Sequence, residues 1–147
     1  MHEEGAAELA PALGGLTRLT FLELDENLFF AEGAVELAPT FSRLSRLASL
    51  SLWQNGLGDD GAAALAPALG GLNLLTFLDL SSNDIGADGW QHLAPALARL
   101  TCIKQLELGL WEVPHSGAQK QALRARLPAS VSQAIDLKFA DWGVRQS

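Results

Sequence analysis

Three asparagines, Asn27, Asn55 and Asn83, stand 28 residues apart and each closes the same phrase. The phrases are Leu19-x-x-Leu22-x-Leu24-x-x-Asn27, Leu47-x-x-Leu50-x-Leu52-x-x-Asn55 and Leu75-x-x-Leu78-x-Leu80-x-x-Asn83. A fourth copy, Ile103-x-x-Leu106-x-Leu108-x-x-Trp111, keeps the apolar skeleton and loses the Asn. Other columns share the step: Pro11, Pro39, Pro67 and Pro95, and Gly5, Gly33, Gly61, Gly89 and Gly117. A strict repeat of this length marks a solenoid, whose units bury their apolar sides only by stacking on one another. Four copies exceed the roughly three that a stable stack needs.

One repeat shows what each unit folds into. Ala62, Leu65, Ala66 and Leu69 are spaced as one face of a helix. Gly70-Gly71 follows as a stop of positive φ. Leu78 and Leu80 then alternate with Phe77, Asp79 and Ser81, which is strand periodicity. Each unit is therefore one helix and one short strand, and strands separated by helices pair in parallel with the helices on the other side. The expected strands lie near 20–25, 48–53, 76–81 and 104–109, with a weaker fifth near 134–139.

Three columns carry local roles. An acid precedes the repeat glycine in Glu4, Glu32, Asp60 and Asp88, with Ser116 at the same phase. This is the N-cap or first-turn position, where an acceptor meets unpaired N–H groups and a negative charge meets the helix dipole. The recurring proline costs ~3 kcal/mol inside a helix, so irregular or broken helices are expected near Pro11, Pro39, Pro67 and Pro95. The Asn column sits where the strand must turn, and a buried amide there can satisfy backbone groups that have no ladder partner. Stacked copies can also bond one another, a ladder that ends at Trp111.

These phrases resemble the leucine-rich repeat family, and within it the ribonuclease-inhibitor-like class. The second half of that pattern, x-Ile-Gly-x-x-Gly, reads Asp84-Ile85-Gly86-Ala-Asp-Gly89 and Gly56-Leu57-Gly58-Asp-Asp-Gly61 here. The first copy departs with Phe29-Phe30, and the fourth with Val113-Pro114. The resemblance covers about residues 5–117. It implies an α/β fold: a right-handed horseshoe solenoid with a parallel sheet on the concave face and helices on the convex face. The chain reads as a single domain over 1–147, with repeats near 5–32, 33–60, 61–88 and 89–116. Residues 117–147 fall out of register as a C-terminal capping unit. There Ala122, Leu123, Arg126 and Leu127 suit a helix ended by Pro128, Ile135, Leu137 and Phe139 suit a strand, and Trp142 can cover the last core layer. No comparable cap precedes the first strand, whose edge is expected to be unpaired.

In this class the residues between the strand leucines face outward on the concave side. By column they are Phe21, Ser49, Phe77 and Gln105; Glu23, Ser51, Asp79 and Glu107; and Asp25, Trp53, Ser81 and Gly109. Aromatics flanking an acidic column make a protein-binding stripe, since interface anchors favour Trp and other aromatics. The candidate partner-binding residues are thus Phe21, Glu23, Asp25, Ser49, Ser51, Trp53, Phe77, Asp79, Ser81, Gln105 and Glu107.

Charge narrows the partner. The net charge of -7 argues against nucleic acid or an anionic membrane surface. Residues 1–38 hold Glu3, Glu4, Glu8, Glu23, Asp25, Glu26, Glu32 and Glu36 against Arg18 alone, which accounts for that whole excess. A protein partner of basic character is the natural complement. No apolar run approaches the ~20 residues that cross a bilayer, and the N-terminus lacks the features of a secretory signal. A single cysteine, Cys102, excludes an internal disulfide framework and fits a cytoplasmic or other reducing compartment.

Catalysis and cofactors find no support. His2, His92 and His115 are scattered, and none has metal-ligand spacing to another His or Cys. No glycine-rich phosphate loop follows a strand. The expected function is a non-catalytic interaction module that uses the concave face. The alternative is a small structural subunit docked through its uncapped N-terminal edge into a larger assembly.

Overall fold

The computed structural model describes residues 3–108 and, beyond them, 125, 129, 132 and 136–138. Helix and strand alternate as the apolar spacing dictates. The helices are α1 (Glu3–Gly14), α2 (Phe30–Phe41), α3 (Gly58–Leu69) and α4 (Ala87–Leu97), and the strands are β1 (Phe21–Glu23), β2 (Ser49–Ser51), β3 (Phe77–Asp79), β4 (Gln105–Glu107) and β5 (Asp136–Lys138). All neighbouring strands pair in parallel, in the order β1-β2-β3-β4-β5. The register repeats the sequence period, so that Leu22, Leu50, Leu78, Leu106 and Leu137 lie side by side.

Regular strand covers three residues per unit, yet the hydrogen-bonding runs on into the expected span. Leu24 N donates to Ser51 O at 3.0 Å and Glu26 N to Trp53 O at 2.9 Å; Leu52 N and Gln54 N repeat this on Asp79 O and Ser81 O. The helices pack in sequence order, α1 on α2, α2 on α3 and α3 on α4. Between helices and sheet runs one core. Leu47, Leu50 and Leu52 and their counterparts Leu75, Leu78 and Leu80 are 0–1% exposed, which contributes about 1.5–3 kcal/mol per side chain. Leu9, Leu19 and Leu24 of the first unit have a neighbour on one side only and are partly buried.

The Asn column forms the expected ladder. Asn27 N donates to Asn55 Oδ1 at 3.0 Å, and Asn55 N donates to Asn83 Oδ1 at 2.8 Å. Each Nδ2 turns back to carbonyls at its own strand end, Leu24 and Asp25 for Asn27, and Leu52 and Trp53 for Asn55. Asn55 and Asn83 also reach one unit upstream, to Leu24 O and Leu52 O. Asn55 and Asn83 are 0% exposed, so these are buried groups that water cannot satisfy.

Several expectations are corrected. The helices are not broken at proline: Pro11, Pro39, Pro67 and Pro95 each lie inside a continuous helix. All four prolines are exposed, so the carbonyls they leave without an intrahelical partner lie on the solvent side. Of the two places expected for the column acids, N-cap or first turn, they take the first turn. The N-cap residues are Phe29, Leu57 and Gly86, none with a side-chain cap bond, while Glu32, Asp60 and Asp88 occupy the first turn. There their charge meets the positive dipole end. Gly70 is not a left-handed stop either: its φ is -63°. Its lack of a side chain matters for space, because a Cβ there would lie 3.2 Å from the Ala96 backbone. The same holds for the repeat glycines, where a Cβ on Gly33 would come within 2.8 Å of Phe29 Cβ, and one on Gly61 within 3.0 Å of Leu57 Cβ.

Left-handed residues instead lie in the strand-to-helix turns. Glu26, Gln54 and Ser82 form one such column, and Leu28, Gly56 and Asp84 the next. Phe30 (φ 54°) and Gly58 (φ 60°) form a third, each donating its N–H to the Asn carbonyl of the following unit. A side chain at such an angle costs roughly 1–2 kcal/mol, and Leu28, 42% exposed, offsets this by partial burial alone. Leu28→Gly, which copies Gly56, is expected to raise stability by about 0.5–1 kcal/mol. A lower denaturation midpoint for this variant would contradict that reading.

The weak fifth strand is present as β5. Of the helix expected over 122–127 only Ala125 is described, and it is helical. Trp111, His115 and Trp142 lie outside the described residues.

Candidate functional site

Since Leu22, Leu50, Leu78 and Leu106 point into the core, strand alternation turns their neighbours to the opposite face of the sheet. The register sets them in two rows, Phe21-Ser49-Phe77-Gln105 and Glu23-Ser51-Asp79-Glu107. Asp25, Trp53 and Ser81 follow at the strand ends. The sheet thus brings together the candidate residues, but their availability differs. Phe21 is 59% exposed and Glu23 is exposed. Ser49, Phe77, Gln105 and Glu107 are half-buried.

The middle of the face is bonded to itself. Ser51 Oγ donates to Asp25 Oδ1 at 2.5 Å, and Trp53 N donates to the same oxygen at 2.9 Å. Ser81 N and Ser81 Oγ both donate to Asp79 Oδ1, at 2.8 and 2.5 Å. Trp53 Nε1 donates to Ser82 Oγ at 3.2 Å, and Gln105 Nε2 to Glu107 Oε1 at 2.6 Å. Ser51, Asp79 and Ser81 are buried. These three are buried and hydrogen-bonded within the face, while Phe21 and Glu23 stand exposed beside them. No sequence signal gave this division, because each bond joins residues whose side chains meet only after folding.

Burial raises the pKa of the Asp79 carboxyl above its ordinary 3.8; the Ser81 bonds oppose the rise, and the charges of Glu107 and Asp25 add to it. The folded protein therefore binds more protons than the unfolded chain between pH 3.8 and the raised value, and stability falls as pH rises through that window. Asp79→Asn, which keeps an oxygen acceptor for Ser81, is expected to melt higher than the parent at neutral pH. The gain should shrink as the pH falls toward 3.8. An equal gain at both ends of a melting series would show that Asp79 carries no burial cost.

A second concavity escaped the sequence reading. A groove of about 720 Å³ opens across the strand-to-helix turns, with Phe30, Leu57 and Ala63 beside Glu32, Asp60 and Asp88. Its signal was the Phe29-Phe30 departure, legible only as an irregularity. His92 lies exposed on α4 and lines this groove. Among the described residues no group of three or more His, Cys, Asp and Glu could hold a metal ion, and no helix is long and apolar enough to cross a membrane. Cys102 is an exposed thiol.

Comparison with known proteins agrees with this architecture. The family described as Leucine Rich repeat matches residues 47–66 and 71–94. No curated protein gives a significant match. Of solved structures, 41 chains match. One of them, Leiomodin-1 Actin-Binding Site 2, has a TM-score of 0.66 and 16% sequence identity, and the match covers 93% of this chain and 79% of that one. At that identity the likeness is one of backbone. The fold is an α/β leucine-rich-repeat solenoid with a parallel sheet.

Proposed function

We propose that the protein is a non-catalytic interaction module, which binds a basic protein partner on the exposed face of its sheet. The observation that carries this reading is the face itself. Rigid short strands display Phe21, Glu23, Phe77 and Glu107 around a polar centre that is already hydrogen-bonded. Such a surface loses little conformational freedom on binding, and that favours affinity. The Leiomodin-1 structure that shares the fold is described as an actin-binding site, which supports a protein as the kind of ligand. The acids of the rim complement a basic partner. The spacing supports the ribonuclease-inhibitor-like class, four repeats with a C-terminal capping unit, and a reducing intracellular compartment for a chain with one exposed thiol.

A second reading has its own observation. The first unit leaves Leu9, Leu19 and Leu24 partly buried, and among the described residues β1 pairs with β2 alone. In this reading the protein is a small structural subunit docked through this edge into a larger assembly.

Paired charge reversals separate the surfaces. Glu23→Lys with Glu107→Lys should weaken capture of the partner by tenfold or more. Glu8→Lys with Glu36→Lys, on exposed positions of α1 and α2, should leave capture unchanged. The opposite pattern would refute binding through the sheet face.

A further inference from the structure

The groove across the strand-to-helix turns carries an inference beyond the sheet face. In the second and third copies the turn residue before the helix is glycine, Gly58 and Gly86; in the first it is Phe30. Phe30 holds this place with φ 54°, an angle that disfavours a large side chain. Its ring lies along the next turn, since a Cβ on Gly56 would come within 2.9 Å of Phe30 Cδ1 and 3.0 Å of Cε1. Even so, Phe30 remains 44% exposed. The Cδ1–Cε1 edge of the ring lies against Gly56, and nearly half of the residue's surface is left to solvent.

Beyond the ring the groove floor is Ala31, Leu57 and Ala63, and its flanks carry Glu32, Asp59, Asp60 and Asp88, with no lysine or arginine among the lining residues. Asp59 already accepts Gly86 N through Oδ1 at 2.7 Å. Glu32, Asp60 and Asp88 are exposed. A lone metal ion does not fit, because no such carboxylate group in the described residues is arranged to hold one. An anion is repelled. A volume of about 720 Å³, open along its length, suits several side chains of an extended segment.

We propose that this groove binds an arginine-bearing segment of a partner protein, with a guanidinium stacked on the exposed ring of Phe30. Arginine fits each part of the surface. Its planar cation stacks on an aromatic face, its methylene stem lies on the apolar floor, and its forked donors meet the flanking carboxylates. A neighbouring apolar residue of the segment would fill the space over Ala31 and Ala63. Lysine offers charge without the planar fork and binds more weakly here.

The test uses the full chain and a blocked peptide with an Arg-Leu-Arg core, titrated by amide NMR. Saturable shifts are expected at residues 30–32, 56–63 and 88–92, with a lysine version of the peptide binding several-fold more weakly. Phe30→Gly, which copies Gly58, should cut affinity about tenfold and melt at or above the parent temperature. Glu32→Lys with Asp60→Lys, both at exposed positions, should abolish binding and keeps the test decisive if Phe30→Gly misfolds. Unchanged affinity in either variant would overturn the proposal. So would shifts confined to residues 21–25, 49–53 and 77–81, which would leave the sheet-face reading standing and this one refuted. A lower melting temperature for Phe30→Gly with unchanged affinity would assign Phe30 a packing role alone.

Discussion

Asn55→Ala is expected to remove about 3 kcal/mol of stability, more than any single change to alanine among the exposed sheet-face residues. Its side chain accepts Asn27 N and donates to Leu24 O, Leu52 O and Trp53 O. Alanine leaves Asn27 N without its acceptor, at about 1–3 kcal/mol, takes one of two hydrogen bonds from each of Leu24 O, Leu52 O and Trp53 O, and leaves a void in the buried ladder. Water cannot compensate, because the site is 0% exposed. Ser51→Ala is the comparison. It removes one donor to Asp25, which still accepts Trp53 N, and a cost of about 1 kcal/mol is expected. Chemical denaturation of the two variants side by side decides the point. Equal midpoints would mean that the ladder is not what joins one repeat to the next.

Gly89→Ala should cost a similar amount by a different route. A Cβ there would lie 2.6 Å from Asp59 Oδ1, 2.8 Å from Ile85 Cγ2 and 3.0 Å from Asp59 Cα. The last contact is backbone, so a rotamer change cannot relieve it. Either α4 moves off α3, or Asp59 releases Gly86 N, where it is bonded at 2.7 Å. Overpacking of this kind costs about 1–3 kcal/mol, and losing a charged hydrogen bond adds about 1.5–3 kcal/mol. The control is Gly58→Ala, where a Cβ meets nothing within 4 Å and only the φ of +60° is unfavourable. About 1 kcal/mol is expected there. Asp59→Ala removes the nearest obstructing atom, so in that background Gly89→Ala should cost less than in the parent. Strict additivity would show that the two positions do not meet.

These two sites mark where the sequence was legible and where it was not. Period and alternation located the parallel strands and their register, because stacking identical units admits one solution for the leucines. The asparagine ladder was legible for the same reason: a polar residue repeated beside buried leucines must bond its own kind. The glycine columns were not, since Gly70 and Gly89 are needed for their distance to a neighbouring helix, and spacing within one repeat carries no such distance. Asp59 was passed over for Asp60, although Asp59 is the acid that bonds the next turn. The strand register lines up Phe21, Ser49, Phe77 and Gln105, and Glu23, Ser51, Asp79 and Glu107, as the repeat period implies. That Ser51 and Ser81 turn to Asp25 and Asp79 depends on side-chain geometry alone.

The central claim is that a protein partner covers the exposed face of the sheet. Hydroxyl-radical footprinting of the chain, free and bound to its captured partner, measures that directly through the oxidation of aromatic side chains. Phe21, Trp53 and Phe77 are expected to become shielded in the complex, with Phe21, the most exposed large apolar side chain among the described residues, changing most. Unchanged oxidation at these three residues in a stable complex would contradict it.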